Sequence, residues 1–320
     1  MKRRVLLLCG GVGGARLAHG FQQLGGELDL HIAVNVGDDF EHLGLTICPD
    51  LDTVLYTLAG LANREQGWGL QGESWRALNR LAELEGETWF RLGDLDLATH
   101  LLRSGELAKG RTLSEVAEKL AKKLGVSAQV MPATNDRVRT VLDTDIGLLD
   151  FQHYFVKEQC VPRVRSISYT GIDGASPSPP LLALLKEKNE PLDAVILTPS
   201  NPFLSLAPSL RLPGLIDHFR TSNAPVIAVS PIIGGRAVKG PAAKLMAELS
   251  IPISAAGWAK YMNDCYPGLV DEWVLDTSDS SEADALCGDG LMAVTTHTLM
   301  RSDEDRKALA SWLIGRVSKV

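Results

Sequence analysis

Two rhythms of apolar residues alternate along this chain. Val5 to Cys9 is a continuous apolar run, as expected of a strand buried on both faces. Behind the glycine-rich turn at 10–14, Leu17, Ala18, Phe21 and Leu24 fall on one stripe, the spacing of a helix packed on a sheet. His31 to Asn35 reads as a second strand, completing a β-α-β unit whose crossover should be right-handed. From about 54 to 125 the period turns helical, through Val54, Leu55 and Leu58, then Trp75, Leu78 and Leu81, then Leu113, Val116 and Leu120. Thr112 with Glu115 fits a capping box, and Gly125 a helix stop. Val138 to Leu142 and Leu148 to Val156 flank a turn-like Asp-Thr-Asp-Ile-Gly and read as a strand pair. Strands are expected again at Ala194 to Leu197, Val226 to Val229 and Trp273 to Leu275, with helices between them. The sum is an α/β chain of one domain, 1–320, with a doubly wound, mostly parallel, Rossmann-like sheet. A helical insertion and a small β excursion interrupt it.

Composition narrows the setting. Hydrophobic residues make up 45% of the chain and charged residues 22%, the balance of an ordinary globular protein. A formal net charge of -7 argues against nucleic acid or an anionic membrane as partner. The five cysteines are scattered and never paired as C-x-x-C, as in a reducing compartment without structural zinc. No apolar stretch approaches the roughly 20 residues of a membrane span, and the run after Lys2-Arg-Arg4 is too short for a signal peptide. The expected location is the cytoplasm.

Ligands of open parallel sheets bind beyond the carboxyl ends of strands, and the unusual residues fall there. Gly10, Gly11, Gly13 and Gly14 follow the first strand, where backbone amides and a helix N-terminus would meet a phosphate. The third glycine of G-x-G-x-x-G is missing, Asn35 stands where a dinucleotide reader carries an acid, and there is no P-loop lysine. A tight turn that merely packs helix on strand also accounts for the glycines. Asp38, Asp39, Asp50 and Asp52 lie within fifteen residues. Helix capping explains one or two of them, whereas four around one crest could supply carboxylates to magnesium and a diphosphate. Asp96 and His100 are neighbours if helical, with Arg91 just ahead; a capped helix with a surface ion pair is the plain alternative. Two loops complete the set, Ser200-Asn201 between prolines and Ser230 to Lys239 with Gly234 and Gly235. Lys239 could meet a phosphate as a point charge.

Taken in order, these segments resemble the 2-phospho-L-lactate transferase family of coenzyme F420 biosynthesis. The matching stretches are Gly10 to Arg16, Val34 to Asp39, Cys48 to Thr53, Gly67-Trp-Gly69, Leu92 to His100, Pro199 to Pro202, Ser230 to Gly234 and Thr296 to Met300. Thr134-Asn135-Asp136 departs from the pattern, with an amide where a second acid is expected.

The resemblance implies a magnesium-dependent transferase. The acceptor would be the ribityl hydroxyl of 7,8-didemethyl-8-hydroxy-5-deazariboflavin (Fo), and the donor a guanosine diphosphate diester of a three-carbon acid. Lactate, enolpyruvate and glycerate stay open as that acid. The products would be GMP and a phosphodiester on the deazaflavin. By the same resemblance Asp52 and Arg91, with His100, meet the deazaflavin, and Asp38, Asp50 and Asp52 are catalytic candidates. Asp38, Asp39, Asp50 and Asp52 are candidates for magnesium. Gly10, Gly11, Gly13, Gly14, Asn35, Ser200, Asn201, Ser230, Gly234, Gly235 and Lys239 are candidates for the nucleotide. A homodimer is expected. The rival classes are a nucleotide-binding regulator of the gluconeogenesis-factor type and an NAD-dependent oxidoreductase.

Overall fold

The structure, a computed structural model, describes residues 2–65, 67–238 and 240–317. β1 (Arg3–Cys9) passes through α1 (Gly11–Gln22) into β2 (Leu28–Val34). A hairpin of β3 (Phe40–His42) and β4 (Leu45–Ile47) follows, then α2 (Pro49–Leu58), α3 (Arg76–Glu83), α4 (Asp94–Ala108) and α5 (Leu113–Lys123). After β5 (Gln129–Pro132) come β6 (Arg139–Thr144), β7 (Gly147–Asp150) and β8 (Val164–Thr170), which form a separate antiparallel sheet in the order β7-β6-β8. The alternation resumes with α6 (Pro179–Lys186), β9 (Ala194–Leu197), α7 (Ala207–Leu210), α8 (Leu215–Ser222) and β10 (Val226–Val229). A small hairpin, β11 (Ile232–Ile233) with β12 (Arg236–Ala237), leads to α9 (Ala242–Glu248) and α10 (Ala255–Cys265). β13 (Glu272–Asp276), α11 (Ser280–Gly288), β14 (Ala293–Thr296) and α12 (Asp303–Arg316) end the chain's described elements.

The central sheet has seven strands in the order β14-β13-β10-β9-β1-β2-β5, and every pairing is parallel. Successive residues of a strand point to opposite faces, so a strand covered on both sides must be apolar throughout. β1 meets that demand: Leu6 and Leu8 enter one core, Val5, Leu7 and Cys9 the other. β9 divides in the same way, with Val195 and Leu197 against Ala194 and Ile196. The sheet is therefore doubly wound. Chain order reverses beside β1, with β2 and β5 on one side and β9 and β10 on the other, so a crevice opens at the carboxyl ends of β1 and β9.

The strands expected at Ala194 to Leu197 and Val226 to Val229 have those bounds. The strand expected over Leu148 to Val156 does not: it stops at Asp150, and His153–Lys157 wind into a π-helical turn. Phe151, Gln152 and Tyr154 are buried there, so the apolar run packs as a coil of helix rather than as a ladder. β8 was not anticipated, because its alternation carries serines in place of a polar-apolar contrast. The closing strand sits at Ala293–Thr296, ahead of the Thr296 to Met300 stretch. No helix among the described residues is long and apolar enough to cross a membrane.

The capping box at Thr112 is formed: its side chain accepts from Glu115 N, and the Glu115 carboxylate accepts from the Thr112 backbone at 2.7 Å. α5 buries Val116, Ala117 and Leu120 against the core that α1 and α2 share. Thr112→Ala should cost about 1 kcal/mol of unfolding free energy. Urea titration followed by circular dichroism checks this, and an unchanged midpoint would show that the cap contributes nothing.

Candidate active site

Gly10 follows the end of β1 at Cys9, and its extended backbone opens α1. Gly11 then takes φ +64°, a left-handed conformation that side chains disfavour. Gly13 is held close to a neighbouring loop: a Cβ there would lie 2.4 Å from the Pro199 carbonyl oxygen. The glycine turn and the turn after β9 are thus pressed together by the absence of side chains. Ser200 stitches them. Its Oγ donates to Gly10 O at 2.7 Å and accepts from Gly10 N at 3.2 Å, with Thr198 Oγ1 2.8 Å away. Asn201 caps the next turn, its Oδ1 accepting from Phe203 N and Leu204 N, while its buried Nδ2 has no partner.

The four acids converge on this crest, each no more than 7% exposed. Asp50 spends both oxygens inside the protein. Gly11 N donates to Oδ1 at 2.8 Å and Asn35 Nδ2 to Oδ2 at 2.9 Å. Asn35 also holds the following turn, its Oδ1 accepting from Gly37 N at 2.9 Å. The asparagine closing β2 is therefore a brace between Asp50 and the strand end. Asp38 and Asp39 differ, for each has a buried Oδ1 without a hydrogen-bond partner. Burial, then the charges of Asp50 and Asp39, pushes the Asp38 carboxyl well above the usual range. Burial raises Asp39 to about 7, against the pull of Arg139 and Arg103. Asp50 is raised to about 6 by burial, with the bonds from Asn35 and Gly11 opposing.

Asp52, one turn along α2, faces a buried polar network on α4. The guanidinium of Arg103, fully buried, donates to Asp52 Oδ1 and to the Thr46 carbonyl at 3.2 Å. His100 sits between acids, with Nδ1 3.7 Å from Asp52 Oδ2 and Nε2 3.3 Å from Asp96 Oδ2. Tyr56 donates to Asp96 Oδ1 at 2.7 Å. His100 is 1% exposed and sits behind Asp52 and Asp96. Asp52 Oδ2 is left without a hydrogen bond, and burial raises its carboxyl despite Arg103 and His100.

Beside the acids stands a ledge of rings. Phe40 directly follows Asp39 and packs edge-on against Phe90 at 4.8 Å between centroids; Trp89 stacks on His153 at 4.5 Å. Arg91 is exposed and lies over the Trp75 ring at 4.3 Å, and Trp75 meets Trp68. Trp68 is exposed and Trp75 half-buried, while Trp89 packs half-buried against the small core of Phe40, Ile47 and Leu92.

On the far loop Ser230 folds onto its own turn, accepting from Ile232 N and donating to Ile232 O. Gly234 N is held by both oxygens of Asp279, at 3.0 and 3.2 Å; Gly235 beside it is exposed. Lys239 lies outside the described residues. Asn135, where an acid was expected, accepts from Ser114 N and Oγ and so ties α5 to the end of β5. Sequence reasoning missed Arg103 and Tyr56. Arg103 lies three residues past His100 and seven past Asp96, so a polar stripe on α4 was the available signal.

Two acid groups are candidates for a cation. Asp52, Asp96 and His100 bring ligand atoms within 4.8 Å of one another, but Arg103 already supplies positive charge there. Asp38 and Asp39 have buried, unpartnered oxygens whose ionisation a cation would favour, and they suit a hard divalent ion better.

The family model described as 2-phospho-L-lactate transferase CofD matches residues 5–305. The 2-phospho-L-lactate transferase of Methanococcoides burtonii is 36% identical over 310 residues, 97% of this chain and 98% of that protein. The phosphoenolpyruvate transferase of Streptomyces griseus is 35% identical over 310 residues, covering 95% of each. Among solved structures, a UPF0052-family protein from Bacillus halodurans superposes with a TM-score of 0.65 over 98% of this chain and 99% of that one, at 16% identity. That likeness concerns the fold.

A carboxylate whose folded pKa exceeds its unfolded value stabilises the fold most below about pH 4, and that contribution disappears as pH rises through the folded value. At Asp39 the fall should span about pH 4 to about 7. Relative to wild type, Asp39→Asn should therefore gain stability steadily between about pH 4 and about pH 8. Urea midpoints across that range check it, and a constant difference between the two proteins would contradict the assignment.

Proposed function

We propose, for a chain that belongs to the 2-phospho-L-lactate transferase family, that it moves a phospho-three-carbon-acid group from a guanosine diphosphate diester to the ribityl hydroxyl of Fo, in coenzyme F420 biosynthesis. The observation that carries this reading is the placement of unpartnered buried carboxylates between a glycine turn and a ledge of aromatic rings. Phosphates suit the amides and hydroxyls around Gly10, Gly11, Gly13, Gly14, Ser200 and Asn201. A flat deazaflavin suits the rings that end in Trp75 and Arg91. Family relatives named for phospholactate and for phosphoenolpyruvate flank this chain at similar identity, which leaves the acid to experiment.

The chemistry is a single displacement at phosphorus. The ribityl oxygen bonds to the phosphorus nearer the acid, and the bond from that phosphorus to the bridging oxygen breaks, releasing GMP. In this reading Asp52 accepts the hydroxyl proton at its free Oδ2, while Arg103 fixes the carboxylate through Oδ1. Asp38 and Asp39 would hold magnesium, with Asp50 and Asp52 nearby. Bound there, magnesium supplies neutralisation of charge on the diphosphate oxygens. Asp50 keeps the glycine turn in shape through Gly11. A homodimer in the cytoplasm belongs to the same reading and rests on the family resemblance.

Incubation with Fo, magnesium and each of the three donors, followed by mass spectrometry, should yield GMP and one preferred deazaflavin phosphodiester. Failure with all three donors would remove the reading. Chelation should abolish turnover. Asp52→Asn should lower kcat by at least about a hundredfold while the circular dichroism spectrum of the folded protein is kept; near-normal turnover would take Asp52 out of the proton transfer.

A further inference from the structure

On the β8 side of the fold is a cavity of about 360 Å³. That volume falls in the range of about 300 to 1,000 Å³ typical of small-molecule sites. Much of its wall is β8, where Arg165, Ile167 and Tyr169 recur at the strand period of two and Ser166 joins them at the lip. Phe203 and Tyr261 close the floor with rings 5.0 Å apart, and Arg211 lies over the Tyr169 ring at 5.2 Å. Tyr169 and Phe203 are buried, whereas Arg165 and Arg211 are exposed at the rim. The anatomy is an aromatic floor under a cationic mouth.

Charge sharpens the assignment. The chain carries a formal net charge of -7, yet no residue lining this cavity is acidic. Arg165 has Asp143 at 4.0 Å, outside the lining, and its side chain is 62% exposed. Arg211 leans on tyrosines, stacking on Tyr169 and bonding to Tyr266. Arg211 over the Tyr169 ring and Arg165 in the same lining put two guanidiniums beside aromatic faces, a pairing that can bind an anion while a flat π-system stacks on the rings. We propose that this cavity is a second small-molecule site, for a planar aromatic anion bearing a carboxylate, sulfonate or phosphate, distinct from the nucleotide crevice. Its floor is attached to that crevice's border: Tyr169 donates to the Phe203 carbonyl at 2.6 Å, and Phe203 lies two residues past Asn201.

Anilinonaphthalenesulfonate, a flat aromatic anion, serves as probe, with its fluorescence titrated against the full chain. The expected result is one saturable site that persists in saturating GDP. Arg165→Met with Arg211→Met, which keeps aliphatic bulk and removes both charges, should weaken binding about tenfold. Leu249→Trp, which fills the cavity from its lining, should abolish it. Should the double variant unfold, Arg165→Met alone, at an exposed position, must still weaken binding measurably. Absence of saturable binding, equal affinity in the charge-removed and filled variants, or displacement of the probe by GDP would each overturn the proposal. None of these outcomes depends on transferase activity, so the site and the proposed reaction stand or fall separately.

Discussion

Four carboxylates buried against one another at a single sheet edge are the constraint from which the rest of this structure follows. Ionised together in a low-dielectric crest they would repel strongly, so each must be answered. Asp50 is answered by a backbone amide and by Asn35, Asp52 by Arg103 reaching in from α4. Asp38 and Asp39 retain oxygens that nothing among the described residues satisfies. An arrangement that leaves acids buried and half-answered is costly to fold, and such cost concentrates where function needs it. From the helical insertion, α4 brings a buried guanidinium and an imidazole behind Asp52.

Much of the scaffold was legible in the sequence because a doubly covered parallel strand has a strong signature. Ala194–Leu197 and Val226–Val229 are unbroken apolar runs between turn residues, and nothing else fits them. The signature weakens in the antiparallel excursion. Phe151 to Val156 has the apolarity of a strand, but its buried rings favour a helical coil once β7 has turned at Asp150. β8, lined with serines on a half-exposed edge, has too little contrast between its faces to announce itself.

The site divides along the same line. Glycines, clustered acids and the capped loop at Asn201 are local patterns, and each could be picked out from neighbours in sequence. What joins them is not local. Gly10 bonds to Ser200, 190 residues away, and Arg103 reaches Asp52 across 51. His100 was readable as a neighbour of Asp96 yet not as a buried bridge to Asp52, because burial is decided by how α2 and α4 pack. The ring ledge is assembled from Phe40, Trp89, Phe90 and His153, three separate stretches whose meeting no spacing rule foretells.

The carboxylate of Asp50 sits on the very amide, at the mouth of α1, that an incoming anion would want. That amide is already spent inside the protein, so any group that came to the turn would have to compete with a carboxylate tethered fifteen residues along the same chain from Asn35.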